Sequence, residues 1–248
     1  MATFLNHERP LLTVMLQCRK PETAIGRIRN ALHSGAEAFG LQVESLELEH
    51  QTPEVITKLI KQMGGRPVYV TNYRSNCNAG KSDEQLAEEM LKIVDCGVTL
   101  CDVMGDLFCK HPDELTDDPL AVEKQMKYIE KLHAKGVEVL MSSHLHKYAA
   151  PERVLEIAKE QKRRGADICK IVVDAENMEQ EIECLRAVNL LKQELGTEFL
   201  LLSGAVNRRI GPTLGCCMYL CVYEHDAIST RHQPLLSCVK TIRELMDY

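Results

Sequence analysis

Lys170 interrupts the apolar run "GADICKIVVDA", which extends from Gly165 to Ala175. A run rich in Ile and Val suits a strand covered on both faces, and lysine is almost never fully buried without a partner or a task. Taken alone, an edge-strand lysine facing solvent or a strand-end salt bridge accounts for it equally well. A lysine desolvated in a cleft near other cations has a third use, as a nucleophilic amine that forms a Schiff base with a ketone or aldehyde. His144 closes the preceding apolar run, "EVLMSSHLH", and imidazole suits proton transfer near neutral pH. His146, two residues further on the same strand face, reads as a rim residue, and His232 as part of a solvated loop. Polar residues also end other apolar runs: Glu44, Arg74, Asp102, Asn207 with Arg208, and the late segment "AISTRHQP".

Such scattered groups form a site only if the fold brings them to one place. Eight strand-like runs start near Leu11, Ala38, Pro67, Val98, Glu138, Ala166, Glu198 and Met218. Amphipathic segments with helical spacing separate them, among them "TPEVITKLIKQMG" and "PERVLEIAKEQKRRG", and most close on Gly, as helix C-termini prefer. Strands alternating with helices imply parallel βαβ units, and eight units fill a single (β/α)8 barrel of the α/β class, one domain over residues 1–248. An open doubly wound sheet is the alternative; no Gly-rich phosphate fingerprint follows any strand, which counts against its dinucleotide-binding form. In a barrel the active site lies where strands end and βα loops begin, which gathers the polar residues above at one mouth.

Composition narrows the function classes. The chain has 248 residues, 45% hydrophobic, enough for a full core. Its net charge is −6 and its basic residues form no stripe interleaved with aromatics, so neither nucleic acid nor an anionic membrane is the expected partner; a small molecule is. The eleven cysteines are an odd number in a long chain whose start, "MATFLNHERP", lacks an apolar signal region, and they read as reduced thiols of a cytoplasmic protein. The cluster "GCCMYLC" lacks the paired spacing with histidines of a zinc site and reads as small apolar core residues, so no metal is expected. No stretch approaches the roughly 20 apolar residues of a membrane span.

Five segments together resemble the type I 3-dehydroquinate dehydratases, which are Schiff-base (β/α)8 barrels, and the resemblance follows almost the whole chain in strand order. "VLMSSHLH" is similar to the family's fifth-strand segment and puts its acid/base histidine on His144. "GADICKIVV" resembles the sixth-strand segment with the Schiff-base lysine, which falls on Lys170. "VNRRIGPTLG" puts the substrate-carboxylate arginine on Arg208, and "STRHQP" puts two lid residues on Ser229 and Gln233. The resemblance implies a lyase of the shikimate pathway, in aromatic amino acid biosynthesis, that converts 3-dehydroquinate to 3-dehydroshikimate without metal or organic cofactor. It also allows a homodimer, which the family often forms.

The departures are as specific. Where the family's second strand reads Glu-x-Arg-x-Asp, this chain has Gly40, Gln42 and Glu44. Arg74 is retained, but Asn78 replaces the glutamate that supports the histidine, and Asp102 is followed by Met104 in place of Asp-x-Glu. Asn207 replaces the serine before the carboxylate arginine. Arg74, Gln42 and Glu44 are therefore expected at the substrate, and Asn78 and Asp102 in support of the catalytic pair. Because the changed residues are those that read ring hydroxyls, two alternatives stay open: a Schiff-base lyase or aldolase acting on a different carboxylated ketone, and a non-catalytic homologue that binds a metabolite.

Overall fold

Strand-forming runs that are apolar at every position must be covered on both faces. The first and fourth strands, β1 (Leu11–Leu16) and β4 (Leu100–Met104), are buried along their whole length. The other strands are β2 (Ala38–Gln42), β3 (Val68–Thr71), β5 (Glu138–His144), β6 (Ile168–Val172), β7 (Glu198–Leu202) and β8 (Met218–Cys221). The computed structural model describes residues 2–246; residues 1, 247 and 248 of the expected 1–248 domain lie outside the described residues. All registered strand pairs are parallel, in the order β7-β6-β5-β4-β3-β2-β1-β8. The ends of that order approach each other through a hydrogen bond of 3.1 Å or less, from Cys217 N–H to the Phe199 carbonyl (3.0 Å), so the sheet curls into a nearly closed barrel rather than an open doubly wound sheet.

Eight helices alternate with the strands: α1 (Pro21–His33), α2 (Pro53–Gln62), α3 (Asp83–Ile93), α4 (Pro119–Ala134), α5 (Pro151–Arg163), α6 (Met178–Glu194), α7 (Ala205–Leu214) and α8 (Leu236–Met246). Their starts are written in the sequence. Proline opens α1, α2, α4 and α5, where its missing N–H costs nothing. Ser82 and Gln85 form a reciprocal capping box on α3. Past the end of α5, Gly165 takes φ +104°, a conformation open to glycine, and turns the chain straight into β6.

Period-2 alternation decides which side chains enter the barrel. Register pairs Met15 with Gly40, Gly40 with Tyr69, Met104 with Ser142 and Ser142 with Lys170, so these residues share the inner face. The N-terminal segment seals the opposite end: Phe4 is fully buried, and its N–H donates to Glu138 at the start of β5 (2.9 Å). Cys216, Cys217 and Cys221 are buried, as the reading of "GCCMYLC" as core requires, and burial pushes the Cys216 thiol up to about 12. All eleven cysteines are free thiols. No described helix is long and apolar enough to cross a membrane.

Candidate active site

Lys170 stands in the middle of β6 and is 4% exposed. An ammonium there must donate its protons, and the inner faces of β3 and β4 supply the acceptors. Its Nζ donates to the Tyr73 hydroxyl at 2.7 Å and to the Tyr69 hydroxyl at 3.2 Å, and lies 3.3 Å from Asp102 Oδ2. Both tyrosine hydroxyls in turn donate to that carboxylate oxygen, while Ser142 donates to the other, Oδ1, at 2.6 Å. The charge beside the lysine is thus a fixed anion, not the second cation that the sequence suggested. Burial, then the charge of Asp102, holds both phenols well above their usual range, so they stay protonated. Asp102, expected from sequence in support of the catalytic pair, lies within hydrogen-bonding reach of Lys170 Nζ.

His144 closes β5, one strand from Lys170, with the ring edge of Tyr73 against it at a centroid distance of 5.6 Å and an interplanar angle of 87°. Its Nδ1 pairs with the Glu114 carboxylate, and its backbone N–H donates to the same oxygen at 2.6 Å. A carboxylate at Nδ1 keeps the proton on that nitrogen and leaves Nε2 as the basic one. His146 is exposed, with φ +52°, and its ring stacks on His144 at 6.5 Å, which is the rim position expected of it.

Three expected site residues are used otherwise. Asn78 does not support His144; it is fully buried and donates to Asn72 Oδ1 (2.8 Å) and to the Tyr73 carbonyl (3.0 Å), which fixes the loop after β3. Arg74 does not face an open substrate position. Its guanidinium binds Asp83 through two bonds (2.6 and 2.7 Å) and Asp106 at 2.6 Å, which locks the loops after β3 and β4 together. Glu44 lies past β2 in a 3₁₀ turn, 1% exposed, and both its oxygens accept from the Thr71 hydroxyl at 2.9 Å. Burial pushes its carboxyl up to about 7.

The remaining candidates lie around the mouth. Gln42 accepts from Gln17 Nε2 at 2.9 Å and lines a cavity of about 340 Å³ with Gln17, Arg19, Ser45, Cys77 and Ile228. A larger groove of about 610 Å³ lies outside the barrel, between α4 and α5, and includes neither Lys170 nor His144. Gln17 also clamps the loop after β8: its Nε2 donates to Thr230 Oγ1 and its Oε1 accepts from the Thr230 N–H, each at 2.8 Å. Within that loop the Ser229 hydroxyl accepts from the Asp226 N–H (2.9 Å), and buried Gln233 leaves its Oε1 without a partner. Arg208 sits in the first turn of α7, and among the described residues its guanidinium makes one hydrogen bond, from Nε to the Ser203 carbonyl (2.8 Å). No carboxylate forms a close ion pair with it among the described residues; burial lowers its guanidinium to about 10, opposed by the charges of Glu181 and Asp174. Neighbouring Asn207 is fully buried with both side-chain polar atoms unpartnered.

Lys170, Asp102, Tyr69, Tyr73, Ser142, His144 and Glu114 therefore make one connected cluster; Arg208, Ser229 and Gln233 occupy the same end of the barrel in separate hydrogen-bond groups. Tyr69 and Tyr73 were legible in principle, since "VYVTNYR" places Tyr69, Thr71 and Tyr73 on one face at period 2 in a chain with only 4% aromatics. Glu114 carried no such signal.

A family model described as type I 3-dehydroquinase matches residues 12–230. The chain belongs to that family. The 3-dehydroquinate dehydratase of Klebsiella pneumoniae subsp. pneumoniae is 28% identical over 125 residues, 48% of each protein, so the match spans about half the length of that relative. Among solved structures, the 3-dehydroquinate dehydratase of Geobacillus kaustophilus superposes with a TM-score of 0.84 at 14% identity, over 99% of this chain and 95% of that one. The type I 3-dehydroquinate dehydratase of Clostridium difficile, solved with covalently modified comenic acid, gives 0.80 at 19% identity, over 98% and 94%. At these identities the structural likeness speaks for the barrel fold, and family membership rests on the sequence match.

Proposed function

We propose that the protein is a hydro-lyase that dehydrates 3-dehydroquinate to 3-dehydroshikimate through an imine on Lys170. The observation that carries the reading is the buried Lys170 amine, tied by Tyr73 to a His144–Glu114 pair at the mouth of a barrel of this family. The amine attacks the substrate ketone and expels water, leaving an iminium that draws electrons from the adjacent carbon. His144 Nε2 takes a proton from that carbon to give the enamine, with Glu114 stabilising the imidazolium that forms. The same imidazolium then protonates the departing hydroxyl, and water hydrolyses the product imine. Arg208, held in no close ion pair among the described residues, takes the substrate carboxylate in a bidentate fork, and Ser229 and Gln233 close over it from the loop after β8. Gln42, with Gln17, faces the ring hydroxyls. No step calls for a metal or organic cofactor. A cytoplasmic homodimer with a small-molecule substrate fits this reading.

One observation favours a second reading. A Cβ on Gly40 would lie 2.1 Å from the Met15 sulfur, so a methionine fills the space that a family glutamate side chain would enter. With Met104 on the same inner face, the pocket wall is more apolar than a polyhydroxylated ring calls for, and a carboxylated ketone with fewer hydroxyls is the alternative substrate. Turnover of 3-dehydroquinate, followed by enone absorbance against analogues lacking the distal hydroxyls, separates the two. Product from 3-dehydroquinate with kcat/KM of about 10⁴ M⁻¹s⁻¹ or more supports the first reading; a preference for the poorer-hydroxylated analogue supports the second.

A further inference from the structure

The hydrogen bonds around Lys170 have a direction. The ammonium donates to the Tyr73 oxygen at 2.7 Å, and the Tyr73 hydroxyl donates to Asp102 Oδ2 at 2.5 Å, while the direct separation of Nζ from that carboxylate oxygen is 3.3 Å. Both legs through the phenol are shorter than the direct path. Each part of the chain is also held from outside: Ser142 fixes the second oxygen of Asp102 (2.6 Å), and Asn78 fixes the Tyr73 backbone carbonyl (3.0 Å). Tyr69 offers a parallel route, but it is longer (3.2 Å) and its side chain is fully buried at the barrel's inner layer. Tyr73 is partly open, and its ring abuts His144, the residue that closes β5.

We propose that the Tyr73 hydroxyl is a further catalytic group, a relay that carries a proton from the Lys170 ammonium to Asp102 before attack and returns it when the carbinolamine loses water. The inference rests on Lys170 acting as an imine-forming nucleophile. In the first step an N–H bond of Lys170 breaks and its proton joins the Tyr73 oxygen, as the original Tyr73 proton passes to Asp102 Oδ2. The result is a neutral amine, a phenol and a carboxylic acid. Because the two transfers are concerted, no free tyrosinate forms, which suits a phenol whose burial opposes ionisation. The nitrogen lone pair then forms the C–N bond, the carbonyl π pair moves onto oxygen, and one nitrogen proton follows it there. Finally the C–O bond breaks with its electrons on oxygen, which takes the Asp102 proton back through Tyr73 and leaves as water. The nitrogen lone pair closes the iminium, and Tyr73 and Asp102 return to their starting states.

Tyr73→Phe keeps the ring against His144 and removes only the relay oxygen. Pentane-2,4-dione condenses with a neutral lysine amine whatever the natural substrate, so its enaminone on Lys170 reports the relay independently of the function proposed above. The expected result at pH 7 is condensation at least about tenfold slower in Tyr73→Phe than in wild type, within the span of general acid–base effects, with the equilibrium extent unchanged. A purely structural role alters the extent as well as the rate. Asp102→Asn, which leaves the relay without its acceptor, gives the same slowing and serves if Tyr73→Phe does not fold. Condensation by Tyr73→Phe at the wild-type rate, or a matching loss in rate and extent, overturns the relay. Slowed condensation in the variant, with no imine between wild type and 3-dehydroquinate, leaves the relay standing and removes the substrate assignment instead.

Discussion

At the scale of single residues, the pairing that matters most for proton transfer is His144 with Glu114, two groups 30 positions apart in sequence. A neutral amide at position 114 cannot stabilise an imidazolium, so Glu114→Gln is expected to lower turnover on the order of 10²-fold while Lys170 still forms its imine. Asn78→Asp, at a side chain bonded to Asn72 and the Tyr73 carbonyl and not to the imidazole, gives no gain in activity. Single-turnover assays with borohydride quenching separate the two steps, and an imine-forming but catalytically unchanged Glu114→Gln would remove Glu114 from the mechanism. Lys170 and His144 stand out in the sequence because a cation and an imidazole interrupt apolar runs, and the fold sets them on adjacent strands of one cluster. From sequence, Asn78 is expected in support of the histidine, whereas the carboxylate that meets the imidazole is Glu114. Glu114 comes from a long irregular loop, holds φ +46°, and is selected by tertiary contacts that no periodicity records.

Arg208 depends on the element that carries it. Val206 and Asn207 at the start of α7 donate their backbone N–H groups to the Glu181 carboxylate (3.2 Å each), and Ser203 adds its hydroxyl at 3.0 Å. An anion at a helix N-terminus satisfies donors that have no partner within the helix. The carboxylate fits only because residue 204 is glycine: a Cβ there would lie 2.1 Å from Glu181 Oε1. Gly204→Ala is therefore expected to displace Glu181, lower stability by about 1–3 kcal/mol and raise KM through a shifted Arg208, with kcat less affected. Urea unfolding beside steady-state kinetics tests it, and an unchanged KM in a destabilised variant would detach Arg208 from this cap. The strands and helices themselves were legible from periodicity, proline and glycine. What periodicity could not show is how loops take up charges: Arg74, at the end of an apolar run, reads as a substrate cation, yet Asp83 and Asp106 claim it from two neighbouring loops.

For the whole molecule, Glu44 couples the pocket to stability. Its carboxyl ordinarily ionises near 4.5 and is raised to about 7 by burial, so the folded chain holds this proton more tightly than the unfolded one. Below the ordinary value both states are protonated and nothing is lost; between there and pH 7 stability falls as pH rises, and above pH 7 the whole cost, on the order of 3 kcal/mol, is present. Glu44→Gln removes the charge and keeps an acceptor for Thr71. It is expected to be more stable than wild type at pH 8, with the gap closing towards pH 4.5, in paired urea titrations; a constant gap across that range would mean that Glu44 does not titrate there. The barrel as a whole matches its reading from sequence because eight repeated strand–helix units leave few ways to cover their apolar faces.

The central claim is that Lys170 is the nucleophile of an imine-dependent dehydration. Incubation of the wild-type protein with 3-dehydroquinate and borohydride, followed by intact-mass and peptide-mass measurement, tests it most directly. One covalent adduct per chain is expected, located on Lys170, absent from Lys170→Ala, and accompanied before reduction by enone absorbance. An adduct on another residue, or steady product formation by the Lys170→Ala variant, would contradict it.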